Sequence, residues 1–302
     1  MLLNQISPND PATRVALEGL MSACPILQDA QFYTKSGAAD SLKRARRATE
    51  KTKITRSLNE SNTATGPTPI YDPVTKKIVS FDAKVDVTLE DRNEDPEAEL
   101  AVQTRLEGEE AGYVLQEMFF TGDAAGDAED FDGMANLVSA DYIKTDGALL
   151  PVGGDAVKSA QQVAMERLRQ HVATVRGGAT HMYMNEWLKV RLVTVAKNLG
   201  FYDNIQNLDG LIERVGGVII RGAGYDRDGA PLLPFTEDGA TSSIWLVRWS
   251  ERKDLTCLTS VGLKARYAGQ IGNHLINNVN MDCVLHLQNP AALVQSSGWK
   301  LE

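Results

Sequence analysis

No apolar run in the sequence approaches the roughly 20 residues that a membrane-spanning helix needs. The N-terminus also lacks the basic region and following apolar core of a signal peptide. Cysteine is scarce. Cys24, Cys257 and Cys283 are far apart, odd in number and without partners at metal-ligand spacing, a pattern that predicts buried, reduced thiols in a cytosolically made protein. The four histidines, His171, His181, His274 and His286, are not paired at helical metal spacing. There is no G-x-x-x-x-G-K-[ST] phosphate loop, no G-x-S-x-G elbow and no H-E-x-x-H zinc pair, so an enzyme has no constellation to stand on. Positive charge is in deficit: a net charge of −9 argues against a dedicated nucleic-acid binder, which would carry a basic field.

What remains is a chain of 302 residues with 43% hydrophobic content, enough to bury one large core or two modest ones. Its charge is unevenly placed. Residues 35–56 hold eight basic groups (Lys35, Lys43, Arg44, Arg46, Arg47, Lys51, Lys53 and Arg56) against two acidic ones, a net of +6. Residues 82–132 hold seventeen acidic and three basic groups, a net of −14. Two such segments can neutralise each other between neighbouring copies in a salt-dependent way, or can be two ordinary solvated faces.

The pattern along the chain predicts alternating helices and strands. A turn at residues 7–11 leads into a short helix carrying Val15, Leu17, Leu20 and Met21, which Pro25 ends. Residues 36–60 are basic and rich in small side chains, helix-compatible to about Lys51, with little apolar surface of their own; they read as an arm that rests on something else, or as a basic nucleic-acid tail. Residues 54–89 read as a two-stranded excursion. In its second strand Val79, Phe81, Ala83, Val85, Val87 and Leu89 alternate with polar residues, so one face is buried. A helix is expected from about 153 to 171, stopped by Gly177 and Gly178, then a strand within 179–185 and a helix over 186–199. Strands follow at 218–220 and 244–247, and Met281, Cys283, Leu285 and Leu287 alternate in a last long strand before Asn289-Pro290 and a short C-terminal strand.

The most informative stretch is 90–137. Asp95 is a natural N-cap, Pro96 suits the first helical turn, and Glu97 and Glu99 favour the positive end of the dipole. No proline interrupts until Pro151. Leu100, Leu106, Tyr113, Val114 and Met118 supply an expected apolar stripe, with Glu107, Glu109, Glu110 and Glu117 on the remaining surface. Gly108 and Gly112 either mark a close approach by another backbone or are two tolerated glycines. The helix ends in FFTGDAAGDAEDFDGMANL. An EF-hand alignment ending at Asp132-Gly133 puts Ala128 and Ser139 where carboxylates are required, so no metal is expected there.

A long helix, a Gly-Asp turn, acidic residues and then Phe131-Asp132-Gly133-Met134 resemble the passage after the spine helix in the tailed-bacteriophage major capsid protein family, which shares its fold with encapsulins. The order of the remaining elements extends the resemblance over nearly the whole chain. It implies an α+β phage capsid fold: an N-terminal arm (1–53), an extended β-hairpin loop (54–89), a peripheral domain on the spine helix (90–140), an axial domain (141–262) and closing peripheral strands (263–302).

The implied function is assembly, without enzymatic activity or cofactor. Pentamers and hexamers would close an icosahedral head in the host bacterial cytoplasm, around double-stranded DNA bound without sequence specificity. A portal, a separate scaffolding protein and a possible decoration protein are the implied partners, with no membrane. Candidate inter-subunit contacts are Arg44, Arg46, Arg47, Lys51, Lys53, Lys76 and Lys77 with Glu107, Glu109 and Glu110. Some relatives weld subunits through a Lys–Asn bond, which needs a desolvated carboxylate to take the lysine proton. Lys76, Lys77 and Asn273 are present, but Asn280 stands where the glutamate would, so non-covalent shells are expected. No scaffolding segment precedes the arm-like region, which implies an unprocessed chain, and removal of residues 1–34 is expected to leave a soluble, assembly-incompetent subunit. The alternatives are an encapsulin-like nanocompartment shell and an α/β enzyme or ligand-binding protein.

Overall fold

The computed structural model describes residues 1–34, 41–46, 70–75, 77–86, 95–127, 130–151, 153, 157–207, 210–236, 241–251, 253–260, 262–272 and 274–301. Its elements are α1 (Leu3–Ile6), α2 (Pro11–Ala23), α3 (Ile26–Asp29), β1 (Phe32–Thr34), β2 (Ser41–Arg46), β3 (Ile70–Thr75), β4 (Lys77–Asp86), α4 (Pro96–Thr121), α5 (Met134–Leu137), β5 (Ile143–Lys144), α6 (Lys158–Thr174), β6 (His181–Met184), α7 (Glu186–Leu199), β7 (Tyr202–Asn207), β8 (Gly210–Val215), β9 (Val218–Gly222), β10 (Ser242–Val247), β11 (Leu255–Thr259), β12 (Lys264–Ile271), β13 (His274–Leu287) and β14 (Leu293–Trp299).

The 26-residue α4 starts where its capping residues dictate: the Asp95 carboxylate accepts the Glu97 amide at 3.1 Å and Pro96 occupies the first turn. Its buried face differs from the expected stripe. Leu106 and Val114 are each 51% exposed, and the buried line is Leu100, Thr104, Gly108, Gly112, Leu115, Gln116, Phe119 and Phe120. The reason is α2, which crosses α4 so closely that side chains are excluded. A Cβ on Gly19 would lie 2.2 Å from the Arg105 carbonyl oxygen, one on Gly108 2.8 Å from the Ala16 oxygen, and one on Gly112 2.8 Å from the Leu20 oxygen. The two glycines of α4 therefore mark a backbone approach.

Residues 1–34, expected to belong to an arm, are part of the subunit's own core. Leu3, Leu20, Ile26, Leu27 and Phe32 are fully buried, and β1 pairs in parallel with β11. α2 itself follows the expected turn, with Asp10 capping Thr13 and Pro11 in the first turn. Ser41–Arg46, read as helix-compatible, is instead the strand β2, antiparallel to β3 in a separate two-stranded sheet. Lys77–Asp86 keeps its predicted alternation, with Ala83 and Val85 buried and Ser80, Asp82 and Lys84 exposed. Its partner, however, is the distant β13, through ten residue pairs.

Two larger sheets complete the architecture. One has the order β1-β11-β13-β12, with β4 also paired to β13; the other is β5-β14-β10-β6-β9-β8-β7. The central strands β6, β10 and β14 of the seven-stranded sheet bury side chains on both faces by alternation. Met182, Met184, Ile244, Leu246 and Val294 enter a core beneath α6 and α7, while Tyr183, Trp245, Val247 and Leu293 enter the core shared with α2, α4 and the first sheet. The C-terminal strand, expected to return beside the long helix, joins this second sheet between β10 and β5. Asn289-Pro290 breaks the chain after β13, and Leu293, Val294 and Trp299 are then buried in their new surroundings.

Candidate functional site

The outward side of α4 is the largest feature that the sequence singled out. Val102, Leu106 and Val114 are exposed on it at multiples of four residues, with Glu110 at the intervening step. Glu107 is exposed, whereas Glu109 and Glu110 are half-buried. Tyr113 donates its hydroxyl to Glu109 at 3.4 Å, and Arg227, from the loop between β9 and β10, is ion-paired with Glu110 at 2.5 Å. Of the basic candidates, Arg44 and Arg46 lie on β2 and Lys77 starts β4 opposite Cys283, while Arg47, Lys51, Lys53 and Lys76 lie outside the described residues, as does Asn273. Within the described part of the molecule, Glu110 is thus matched by an arginine that the sequence reading did not name.

The loop after α4 is a backbone catch. The Gly133 amide donates to the Gly122 carbonyl at 2.8 Å, and the Asn136 side chain donates to the same oxygen at 2.7 Å. A Cβ on Gly122 would sit 2.4 Å from the Phe131 oxygen, so both glycines are sterically required. Phe131 is buried edge-on against Phe119. The carboxylates Asp123, Asp130 and Asp132 accept loop amides. Among the described residues no cluster of three or more His, Cys, Asp or Glu side chains could hold a metal ion.

Two polar networks lie where sequence spacing gives no hint of them. Asp29, buried at the end of α3, accepts two hydrogen bonds from Arg221, both 3.1 Å, and one from Tyr183 at 3.3 Å, with His181 Nε2 3.5 Å away. Burial opposes ionisation of Asp29, but the hydrogen bonds and charges of His181 and Arg221 outweigh it and hold its carboxyl below the usual range. Tyr183 in turn accepts the Trp249 indole N–H at 2.9 Å. The hub ties the N-terminal segment to β6 and β9.

The second network is a Ser–His–Asp chain. Ser296 Oγ lies 2.7 Å from His171 Nδ1, and His171 Nε2 lies 3.0 Å from Asp146 Oδ1. It cannot serve as a nucleophilic triad, because Ser296 is 0% exposed and its oxygen already accepts the Trp299 indole N–H at 2.7 Å. An open groove of about 590 Å³, lined by Gln162, Met165, Glu166, Arg169 and Phe201 among others, includes none of these residues. Cys24, Cys257 and Cys283 are free thiols in the main core, and burial pushes each thiol pKa up, that of Cys283 to about 12. Among the described residues no helix is long and apolar enough to cross a membrane.

No protein-family model and no curated protein matches the sequence. Solved structures do match. An encapsulin complex from Synechococcus elongatus aligns over 91% of this chain and 86% of its own, at 13% identity and a TM-score of 0.60. A virus-like particle from Pyrococcus furiosus aligns over 94% and 96%, at 12% identity and a TM-score of 0.52. The capsid of cyanophage P-SCSP1u aligns over 90% and 86%, at 11% identity and a TM-score of 0.53. The chain has the phage-capsid and encapsulin fold. In this capsid-fold chain α4 and the glycine catch after it form one packed unit. The matched proteins are shell subunits, and each alignment covers at least 90% of this chain.

Proposed function

We propose that the protein is the major capsid protein of a tailed bacteriophage, a structural subunit that closes as pentamers and hexamers into an icosahedral head in the host cytoplasm. The observation that carries this reading is the capsid fold over at least 90% of the chain in the three matches described above. The exposed Val102, Leu106 and Val114 beside Glu107 supply a mixed apolar and acidic face that suits a neighbouring copy better than water. The two-stranded ribbon of β2 and β3, which belongs to neither large sheet, is the natural donated element, and the sequence around it carries Lys43, Arg44, Arg46, Arg47, Lys51 and Lys53. Its basic charge complements Glu107, Glu109 and Glu110 of an adjacent subunit, a pairing that weakens as salt rises.

In this reading α4 is the spine helix, and the ribbon joins β2 of the donated arm to β3 of the extended loop. Residues 90–140 and 263–302, less β14 and together with β11, supply the peripheral domain, and the rest of 141–262 the axial domain. DNA is packaged against an acidic chain without sequence readout, and a portal and a separate scaffolding protein complete the head.

The test is electron microscopy of the concentrated protein beside its size-exclusion profile. Closed shells, tubes or capsomer rings are expected, with nucleic acid in particles isolated from the producing cells. Particles filled with a specific protein and free of nucleic acid would replace the phage reading by a nanocompartment. A stable monomer that never assembles, alone or with a scaffold, would overturn both.

A further inference from the structure

β14 enters the second sheet near its edge, and its end is bound by the loop after β5. The Gly147 amide donates to the Ser297 carbonyl at 2.9 Å, Leu150 donates to the Lys300 oxygen at 2.9 Å, and Lys300 donates back to Ala148 at 3.2 Å. The side chains of this segment belong to the Ser–His–Asp chain, and the direction of each hydrogen bond in it can be assigned. An indole N–H can only donate, so Trp299 gives its proton to Ser296 Oγ. The Ser296 hydroxyl proton then points to His171 Nδ1, which must accept. His171 therefore carries its proton on Nε2 and donates it to Asp146, whose other oxygen is ion-paired with Arg167.

The chain Trp299 to Ser296 to His171 to Asp146 runs one way and is complete with a neutral imidazole. A second proton, on Nδ1, would face the Ser296 O–H donor to donor. The hydroxyl would have to swing away, and among the described residues Ser296 Oγ has only His171 and Trp299 as hydrogen-bond partners. A buried hydroxyl proton would be stranded. The groups with a charge that faces His171 are Asp146 from the loop after β5, Arg167 one turn earlier on α6, and Lys144 from β5.

We propose that His171 is an acid-operated catch on the C-terminal strand, holding residues 296–300 against α6 while neutral and releasing them when protonated. Burial lowers the His171 pKa against the pull of Asp146, with Arg167 and Lys144 adding to the lowering. The opened strand exposes a histidine with the ordinary value of about 6.5. The opened form therefore takes up a proton that the closed form refuses, and opening is favoured as pH falls below about 6.5, levelling off once pH passes the closed-state pKa.

Hydrogen–deuterium exchange by mass spectrometry on the full-length protein, corrected for the intrinsic pH dependence of exchange, reads the opening directly. Between pH 7.5 and pH 5, peptides covering 293–301 and the C-terminal half of α6 should gain on the order of tenfold in opening, equivalent to about 1.4 kcal/mol. His171→Gln should flatten that gain to less than about twofold. Asp146→Asn removes the carboxylate that favours the second proton in the closed form, so the closed-state pKa falls, the onset stays at about 6.5, and the gain should be larger and continue to lower pH than in the wild type. Superimposable profiles for the wild type and a folded His171→Gln variant would overturn the proposal. If that variant does not fold, a gain in Asp146→Asn no larger than that of the wild type does the same.

Discussion

Replacing Gly19 by alanine isolates the contact on which the α2–α4 pair depends. The added Cβ would lie 2.2 Å from the Arg105 carbonyl oxygen, 3.0 Å from its carbon and 3.1 Å from the Glu109 amide nitrogen. All three are backbone atoms of α4, so no side-chain rotation relieves the clash. Ordinary contact needs about 3.4 Å, and the helices must therefore part by about 1 Å at the crossing. Overpacking of this kind costs about 1–3 kcal/mol, while exchanging glycine for alanine inside a helix returns up to about 1 kcal/mol. The expected net loss is about 2 kcal/mol, at the upper end of the overpacking range because backbone must move. Urea unfolding of the unassembled subunit, followed by tryptophan fluorescence and far-ultraviolet circular dichroism, measures it.

Two controls sharpen the test. Glu18→Ala, on the exposed side of the same helix, should change stability by less than about 0.5 kcal/mol. Gly108→Ala, whose Cβ would meet the Ala16 oxygen at 2.8 Å, should destabilise by a similar route. The double variant should then lose less than the sum, because helices already forced apart by one methyl leave room for the other. A Gly19→Ala subunit that is more stable than the wild type would refute the reasoning, since only the helix-propensity gain would then be acting.

Three further outcomes follow from the same geometry. Asp29→Ala should cost about 2–4 kcal/mol in urea unfolding, because it strands the Arg221 guanidinium and the Tyr183 hydroxyl, and Asp29→Asn should cost less. Since the folded state holds Asp29 below its ordinary pKa, the wild type should lose this contribution as pH falls below about 4, whereas Asp29→Asn should not. Leu106→Gln should leave subunit stability within about 0.5 kcal/mol but reduce shell formation in light scattering, because Leu106 is half exposed on the proposed contact face. Deleting residues 1–34 should yield an unfolded chain by circular dichroism rather than a soluble subunit. The deletion removes five fully buried large side chains at about 1.5–3 kcal/mol each, on the order of a whole domain's stability.

Where the sequence carries local chemistry, it can be read. Asp95-Pro96 places the start of α4, and Gly177-Gly178 marks the end of the following helical stretch with two positive-φ residues. Alternation locates β4 and the second half of β13. The buried line of α4 escapes a hydropathy pattern because Thr104, Gly108 and Gly112 face a helix too close to admit larger residues. β12 escapes it because nearly every residue from Lys264 to Ile271 is exposed, so no alternation exists, and the five residues of β11 escape it because all are buried. The acidic face of α4 is visible as charge. The networks are not: Asp29 and Arg221 are 192 residues apart, and His171 and Ser296 are 125 apart. A polar residue in a sequence does not announce that it will be buried, and only the folded chain supplies its partner.

The pairing of β4 with β13 also has a mechanical side. Ten consecutive residue pairs, from Lys77 opposite Cys283 to Asp86 opposite His274, fasten the root of the ribbon excursion to a strand whose far end is woven into the main core. Tension applied to the excursion along the direction of β4 loads those pairs in shear, all at once, instead of peeling them open one at a time. A neighbour that grips the ribbon is therefore anchored to the centre of the subunit, and the load reaches the core through backbone hydrogen bonds.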